Sequence, residues 1–133
     1  MRMIFVNLPV KDLNASKAFF QALGFTFNPQ FTNDEAACMV IAENHVYAML
    51  LTEPRFRDFI TGEIADAERV KEVLNALSCA SREEVTDLKA RALAAGGREW
   101  KPDMDHGFMV GASFQDLDGH VWELIWMDPA HIQ

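Results

Sequence analysis

One carboxylate stands alone in an apolar run. Glu123 lies within Val121-Trp122-Glu123-Leu124-Ile125-Trp126-Met127, and on an alternating strand it shares a face with Val121, Ile125 and Met127. A carboxylate among apolar neighbours is costly to ionise and tends to keep its proton. That suits a general acid or base, or a single hydrogen bond to a ligand. The alternative is a glutamate satisfied by a neighbouring tryptophan N–H, a backbone amide or water. His106 is the second candidate. It sits in Pro102-Asp103-Met104-Asp105-His106-Gly107-Phe108, a turn-rich connection in which Asp105 could orient or charge the ring. His45 and His120 precede two similar strands and read as turn residues, and His131 lies in the C-terminal tail. Trp100, ahead of Lys101-Pro102, either walls a pocket or sits at a sheet edge. Asn7 is the one amide on its face of the first strand, so it either meets a ligand or closes a strand end.

Other chemistries lack their signatures. Gly96-Gly97 follows a helix pattern and does not open one, so no phosphate loop is present. Gly111-Ala112-Ser113 lies mid-strand without the second glycine of a nucleophile elbow. Cys38 and Cys79 lack zinc-site spacing and read as buried free thiols of a cytoplasmic protein. The chain has 133 residues with 12 Lys+Arg against 20 Asp+Glu, a net charge of −8. Such a surface repels nucleic acid and anionic membranes. No apolar run approaches the ~20 residues of a membrane span, and the N-terminus reads as lacking a signal peptide.

The elements that position these groups come as a repeat. The first half opens with an apolar strand, Met3 to Val10. A helix capped at Asp12 follows and stops at Gly24. The second half opens with Val73 to Cys79. Its helix is capped at Ser81, with Glu84 completing a capping box, and stops at Gly96-Gly97. Three strand-like runs follow each helix: Phe25–Phe31, Ala36–Ala42 and Val46–Thr52, then Arg98–Lys101, Phe108–Gln115 and Val121–Met127. The expected fold class is α+β, two tandem βαβββ modules forming a curved mixed sheet around a cleft. The modules cover 1–53 and 73–128 of a single domain, joined by a connector over 54–72 that either packs its aromatics on a sheet edge or forms a lid.

Val10-Lys11-Asp12-Leu13, Phe19-Phe20 and Leu23-Gly24-Phe25 resemble the opening module of the glyoxalase/bleomycin resistance/dioxygenase (vicinal oxygen chelate) superfamily. Asp116-Leu117-Asp118-Gly119-His120-Val121-Trp122-Glu123-Leu124 resembles its closing signature. The resemblance implies paired βαβββ modules around a shared cleft and frequent homodimers. The activities it implies range from glutathione-adduct lysis and isomerisation through ring cleavage to antibiotic sequestration.

In metal-using members, four His, Gln or Glu side chains on the first and last strands of the modules hold one divalent ion. Carried over here, these positions read Phe5, Ala48 or (with a two-residue slip) Leu50, Leu74 and Glu123. One of the four can coordinate, so no metal and no other cofactor is expected. A divalent ion would need other ligands, for instance His106 with Glu123. The expected function is binding of an apolar or amphipathic small molecule in the cleft, lined by Phe5, Asn7, Ala48, Leu50, Leu74 and Trp100, with Glu123 and His106 as candidate catalytic groups. The alternatives are a metal-dependent lyase (lactoylglutathione lyase-like) or dioxygenase, and metal-free acid/base chemistry at Glu123. Expected partners are a small-molecule ligand and a second copy in a homodimer.

Overall fold

The computed structural model describes residues 2–131. The chain forms two compact units, one up to Asp66 and one from Ala67.

The first unit begins with β1 (Ile4–Val10) and α1 (Leu13–Ala22). The Asp12 carboxylate caps α1 by accepting from the Ala15 N–H at 3.0 Å. Leu13, Ser16, Phe19 and Phe20 recur at helical spacing and are buried. The helix ends where Gly24 takes φ 101°, a left-handed value open to glycine. β2 (Thr26–Asn28), β3 (Ala36–Ala42) and β4 (Val46–Thr52) follow, then a short helix, α2 (Glu53–Arg57). β2 stops short of the expected Phe31. Pro29 lacks an N–H for the ladder, and residues 29–31 close a single 3-10 turn capped by the Asn28 side chain. The sheet order is β1-β4-β3-β2, with β1 and β4 parallel.

The second unit repeats the plan with β5 (Leu74–Ser78), α3 (Arg82–Ala94), β6 (Arg98–Glu99), β7 (Met104–Asp105), β8 (Met109–Gln115) and β9 (Val121–Met127). Ser81 caps α3 through its hydroxyl, which accepts from Glu84 N–H at 3.1 Å. Glu84 reaches back to the Ala80 N–H at 2.9 Å. The order is β5-β9-β8-β6, and β7 also pairs with β8. The strand expected over Arg98–Lys101 is therefore split into β6 and β7. Pro102 cannot donate, and the Lys101 N–H leaves the ladder for the Ser113 hydroxyl at 3.2 Å. Together these make an α+β fold of two mixed sheets, of four and five strands.

Part of the connector is bound into the second unit. Lys71 Nζ donates to Gly119 O at 2.6 Å, to Gln115 Oε1 at 3.1 Å and to Ala67 O. Gly119 has φ 86°, and a Cβ there would fall 2.9 Å from Glu68 N and 3.0 Å from Ala67 C and O. Only glycine lets the two backbones approach this closely. Among the described residues no helix is long and apolar enough to cross a membrane.

Candidate functional site

In the second unit α3 covers one face of the sheet. Val85, Lys89 and Leu93 line a cavity of about 260 Å³ together with Val110 and Ala112. Strand alternation puts Trp122 and Leu124 on this covered side, each 1% exposed. Glu123 therefore lies on the helix-free face. Its ladder partners are Ala76 on β5 and Ser113 on β8. Leu74, Val121, Ile125 and Gly111 share that face by register, and Leu74 is 51% exposed.

Glu123 is half-buried, and among the described residues its carboxylate has no hydrogen-bond or ion-pair partner. The neighbouring tryptophan N–H is already taken. Trp122 Nε1 donates to Asp116 Oδ2 at 2.9 Å. Asp116 also accepts from the N–H groups of Asp118 (2.9 Å) and His120 (3.0 Å) through Oδ1. Burial pushes the Asp116 carboxyl above its ordinary value, against the pull of His120 and these hydrogen bonds. Asp116 thus pins Trp122 beneath the sheet, and the adjacent Glu123 must point the other way.

Trp100 is half-buried, with Lys71 Nζ at 5.1 Å and Lys101 Nζ at 5.2 Å from its ring centre. The Lys101–Ser113 hydrogen bond ties this segment to the residue directly across from Glu123. His106 is placed elsewhere. Its backbone N–H donates to Met109 O at 2.9 Å. Met109 pairs with Met127, four positions along β9 from Glu123, roughly 13 Å at strand rise. Asp105 interacts with His106 through charge, and no hydrogen bond joins the two among the described residues. Its carboxylate accepts from the Arg82 guanidinium and from the Gly107 N–H at 2.9 Å.

In the first unit Phe5 stacks on Tyr47 with ring centres 4.9 Å apart, and Phe5 is 45% exposed. Asn7 Nδ2 donates to Phe5 O at 3.1 Å, beside Met49 in the ladder. Ala48 and Leu50 are a correction. They pair with Val6 and Leu8, are 0% exposed, and lie on the opposite face from Phe5. Phe5 pairs with Tyr47 as Leu74 pairs with Val121, so the counterpart of Glu123 is Met49. Aligning the halves on His45 and His120 misses by one residue, because the turns before β4 and β9 differ in length. A one-residue slip exchanges the two faces of a strand.

The positions that the resemblance marks for ligands therefore hold Phe5 and Met49 in the first unit and Leu74 and Glu123 in the second: two hydrocarbons, a thioether and one carboxylate. They do not fit a divalent ion that needs several N or O ligands. Among the described residues no three His, Cys, Asp or Glu come together to hold one. Cys38 and Cys79 are free thiols. Burial raises both, Cys79 to about 11, so neither is poised as a nucleophile near neutral pH. Sequence reasoning missed Lys71 and Ser113. Lys71 sits in a connector without periodicity, and Ser113 was visible only as part of a failed glycine–serine motif.

Residues 2–42 match the family model described as bleomycin resistance protein-like N-terminal. Among solved structures, a hypothetical protein from S. aureus is 27% identical over 95% of this chain and 94% of that chain, with a TM-score of 0.78. A glyoxalase/bleomycin resistance protein/dioxygenase family enzyme from Burkholderia phytofirmans PsJN is 17% identical over 92% and 96%, with a TM-score of 0.74. The chain has the glyoxalase/bleomycin resistance/dioxygenase fold. Fosfomycin resistance protein FosX from Listeria monocytogenes shares this glyoxalase-type fold at 23% identity, over 95% of this chain and 93% of that chain, with a TM-score of 0.66. No curated protein matches the chain by sequence. The glyoxalase-type resemblance read from the motifs thus agrees with both the family model and the fold.

Proposed function

We propose that this protein binds an apolar or amphipathic small molecule against the helix-free faces of its sheets, without a metal ion. The observation that carries the reading is the Glu123 carboxylate, half-buried on an apolar face and engaged by no described residue. A group with no internal partner, held in place by the Asp116–Trp122 bond beside it, is set to accept a hydrogen bond from a ligand. Phe5, Asn7, Leu74 and Trp100 remain the lining residues of the proposal, and Met49 replaces Ala48 and Leu50. His106, fixed level with Met127, is left out. A homodimer and a cytoplasmic setting belong to the same reading.

The test is a thermal-shift screen of apolar and amphipathic compounds, run with divalent metals and with chelator. A ligand that favours the folded state raises the midpoint. The expected hit keeps its shift in chelator and binds Glu123→Gln about tenfold more weakly, the loss of a charge-assisted bond. A shift that chelator abolishes would overturn the metal-free reading. Metal-free acid/base chemistry at Glu123 has a different signature: Glu123→Gln would bind normally and lose turnover.

A further inference from the structure

Among the described residues no carboxylate comes within ion-pair distance of Lys71 or Lys101, which meet at Trp100. Two ammonium groups lie 5.1 and 5.2 Å from one indole ring. The oxygens around Lys71 are all neutral: the Ala67 and Gly119 carbonyls and the Gln115 amide. The Lys101 ammonium has the indole face as its one partner among the described residues. Four other cations of the unit have carboxylate partners. Arg82 pairs with Asp105, Lys89 with Glu99 and Asp103, Arg91 with Asp87, and Arg98 with Glu68. In a chain of net charge −8, Lys71 and Lys101 meet at one ring with no carboxylate partner among the described residues. The Trp100 indole N–H also has no acceptor among the described residues.

We propose that Lys71, Trp100 and Lys101 form an anion subsite, which takes the carboxylate or phosphate-type group of an organic anion. The ligand's apolar body lies along the helix-free face toward Glu123. The register supports that placement. The Lys101 backbone N–H donates to the Ser113 hydroxyl, which brings this segment to the residue opposite Glu123 on the neighbouring strand, at the ordinary spacing of about 4.8 Å. Lys71 is already held by three oxygens, so its charge is ordered before the ligand arrives and little freedom is lost on binding. Lys101 and the indole N–H supply the free donors. The inference rests on the reading that this face binds a small molecule, and it narrows the ligand to one with an anionic end near Lys101 and a hydrogen-bond donor near Glu123.

The experiment titrates isotopically labelled protein with benzoate, benzyl alcohol, benzylammonium and inorganic phosphate. It follows the Trp100 indole N–H resonance, assigned through Trp100→Phe, and the backbone amides of Ser113 and Ile125. Benzoate should shift the Trp100 signal saturably, added salt should weaken it, and benzylammonium should leave it in place. Lys101→Gln, at an exposed position, should weaken benzoate about tenfold. Equal shifts from benzoate and benzyl alcohol, or an unchanged benzoate affinity in Lys101→Gln, would overturn the subsite. If aromatic probes move Ser113 and Ile125 while none moves Trp100, the subsite fails and the broader ligand-binding reading survives. If phosphate and benzoate move Trp100 while no aromatic probe moves Ser113 or Ile125, the subsite stands and the broader reading fails.

Discussion

Between β3 and β4 the chain turns over Glu43-Asn44-His45; between β8 and β9 it takes the longer path from Asp116 to His120. The two turns do the same topological work with different materials. The first is exposed and held locally. His45 N–H donates to Ala42 O at 3.0 Å, Asn44 N–H donates to the Tyr47 hydroxyl at 2.9 Å, and Asn44 takes φ 65°. The second is built around the buried Asp116 carboxylate and is overlaid by the connector at Ala67 and Glu68. The strands that follow share one register with β1 and β5, yet one presents Met49 where the other presents Glu123. Duplication supplied the scaffold twice. The polar anchoring, and with it Glu123 on the helix-free face, belongs to the second copy.

The largest expected effect tests the faces of that shared register. Leu50→Ala and Leu124→Ala should each cost about 2–5 kcal/mol in urea unfolding, since both side chains are fully enclosed. Met49→Ala should cost under about 2 kcal/mol, and Glu123→Ala about 1 kcal/mol or less, because both stand on the helix-free side. Were Met49→Ala as costly as Leu50→Ala, the face assignment would be wrong and Glu123 would lose its counterpart.

The second effect contrasts the turns themselves. Gly119→Ala should cost about 2–4 kcal/mol. Part of this is the left-handed backbone and part the collision with Ala67 and Glu68. Asn44→Ala faces only the backbone term, about 1 kcal/mol. If the two variants unfold at the same denaturant concentration, the connector does not press on the second turn.

Most of the strands, helices α1 and α3 and their caps were legible in the sequence because each rests on local chemistry: Asp12 and Ser81 at the starts, Gly24 and Gly96 at the ends, period-two apolar runs between. The position of Glu123 was legible for the same reason. What escaped was anything set by a non-local pairing. The counterpart of Glu123 depended on strand register, and two histidines at similar turns suggested an alignment one residue off. The split of the Arg98–Lys101 strand depended on where the Lys101 N–H would find its acceptor, a residue far along the chain. The Lys71 contacts join a connector to a turn 48 residues away, and no local pattern encodes such a pair. Asp105 does meet His106 through charge, but its hydrogen bond goes to Arg82, 23 residues back along the chain.

The smallest effect separates the two units by pH. Arg82 ties the start of α3 to the end of β7 through Asp105. The Arg82 hydrogen bond, helped by the Gly107 N–H, holds Asp105 below the usual carboxylate range. A carboxylate depressed in the folded state stabilises it above the unfolded value of about 3.9 and loses that contribution as pH falls toward the folded value. Asp116 works the other way. Its raised value means the folded state takes up a proton first, so its contribution declines as pH rises through that range. Wild type should therefore exceed Arg82→Gln in urea midpoint at pH 7, and the gap should close as pH falls below about 4. Both partners are exposed, which keeps the gap small and makes it shrink in salt. A gap that persists unchanged in acid would assign the Arg82 contribution to its other contacts, the Gly107 carbonyl at 3.1 Å and the Trp126 ring at 5.7 Å, and not to the ion pair.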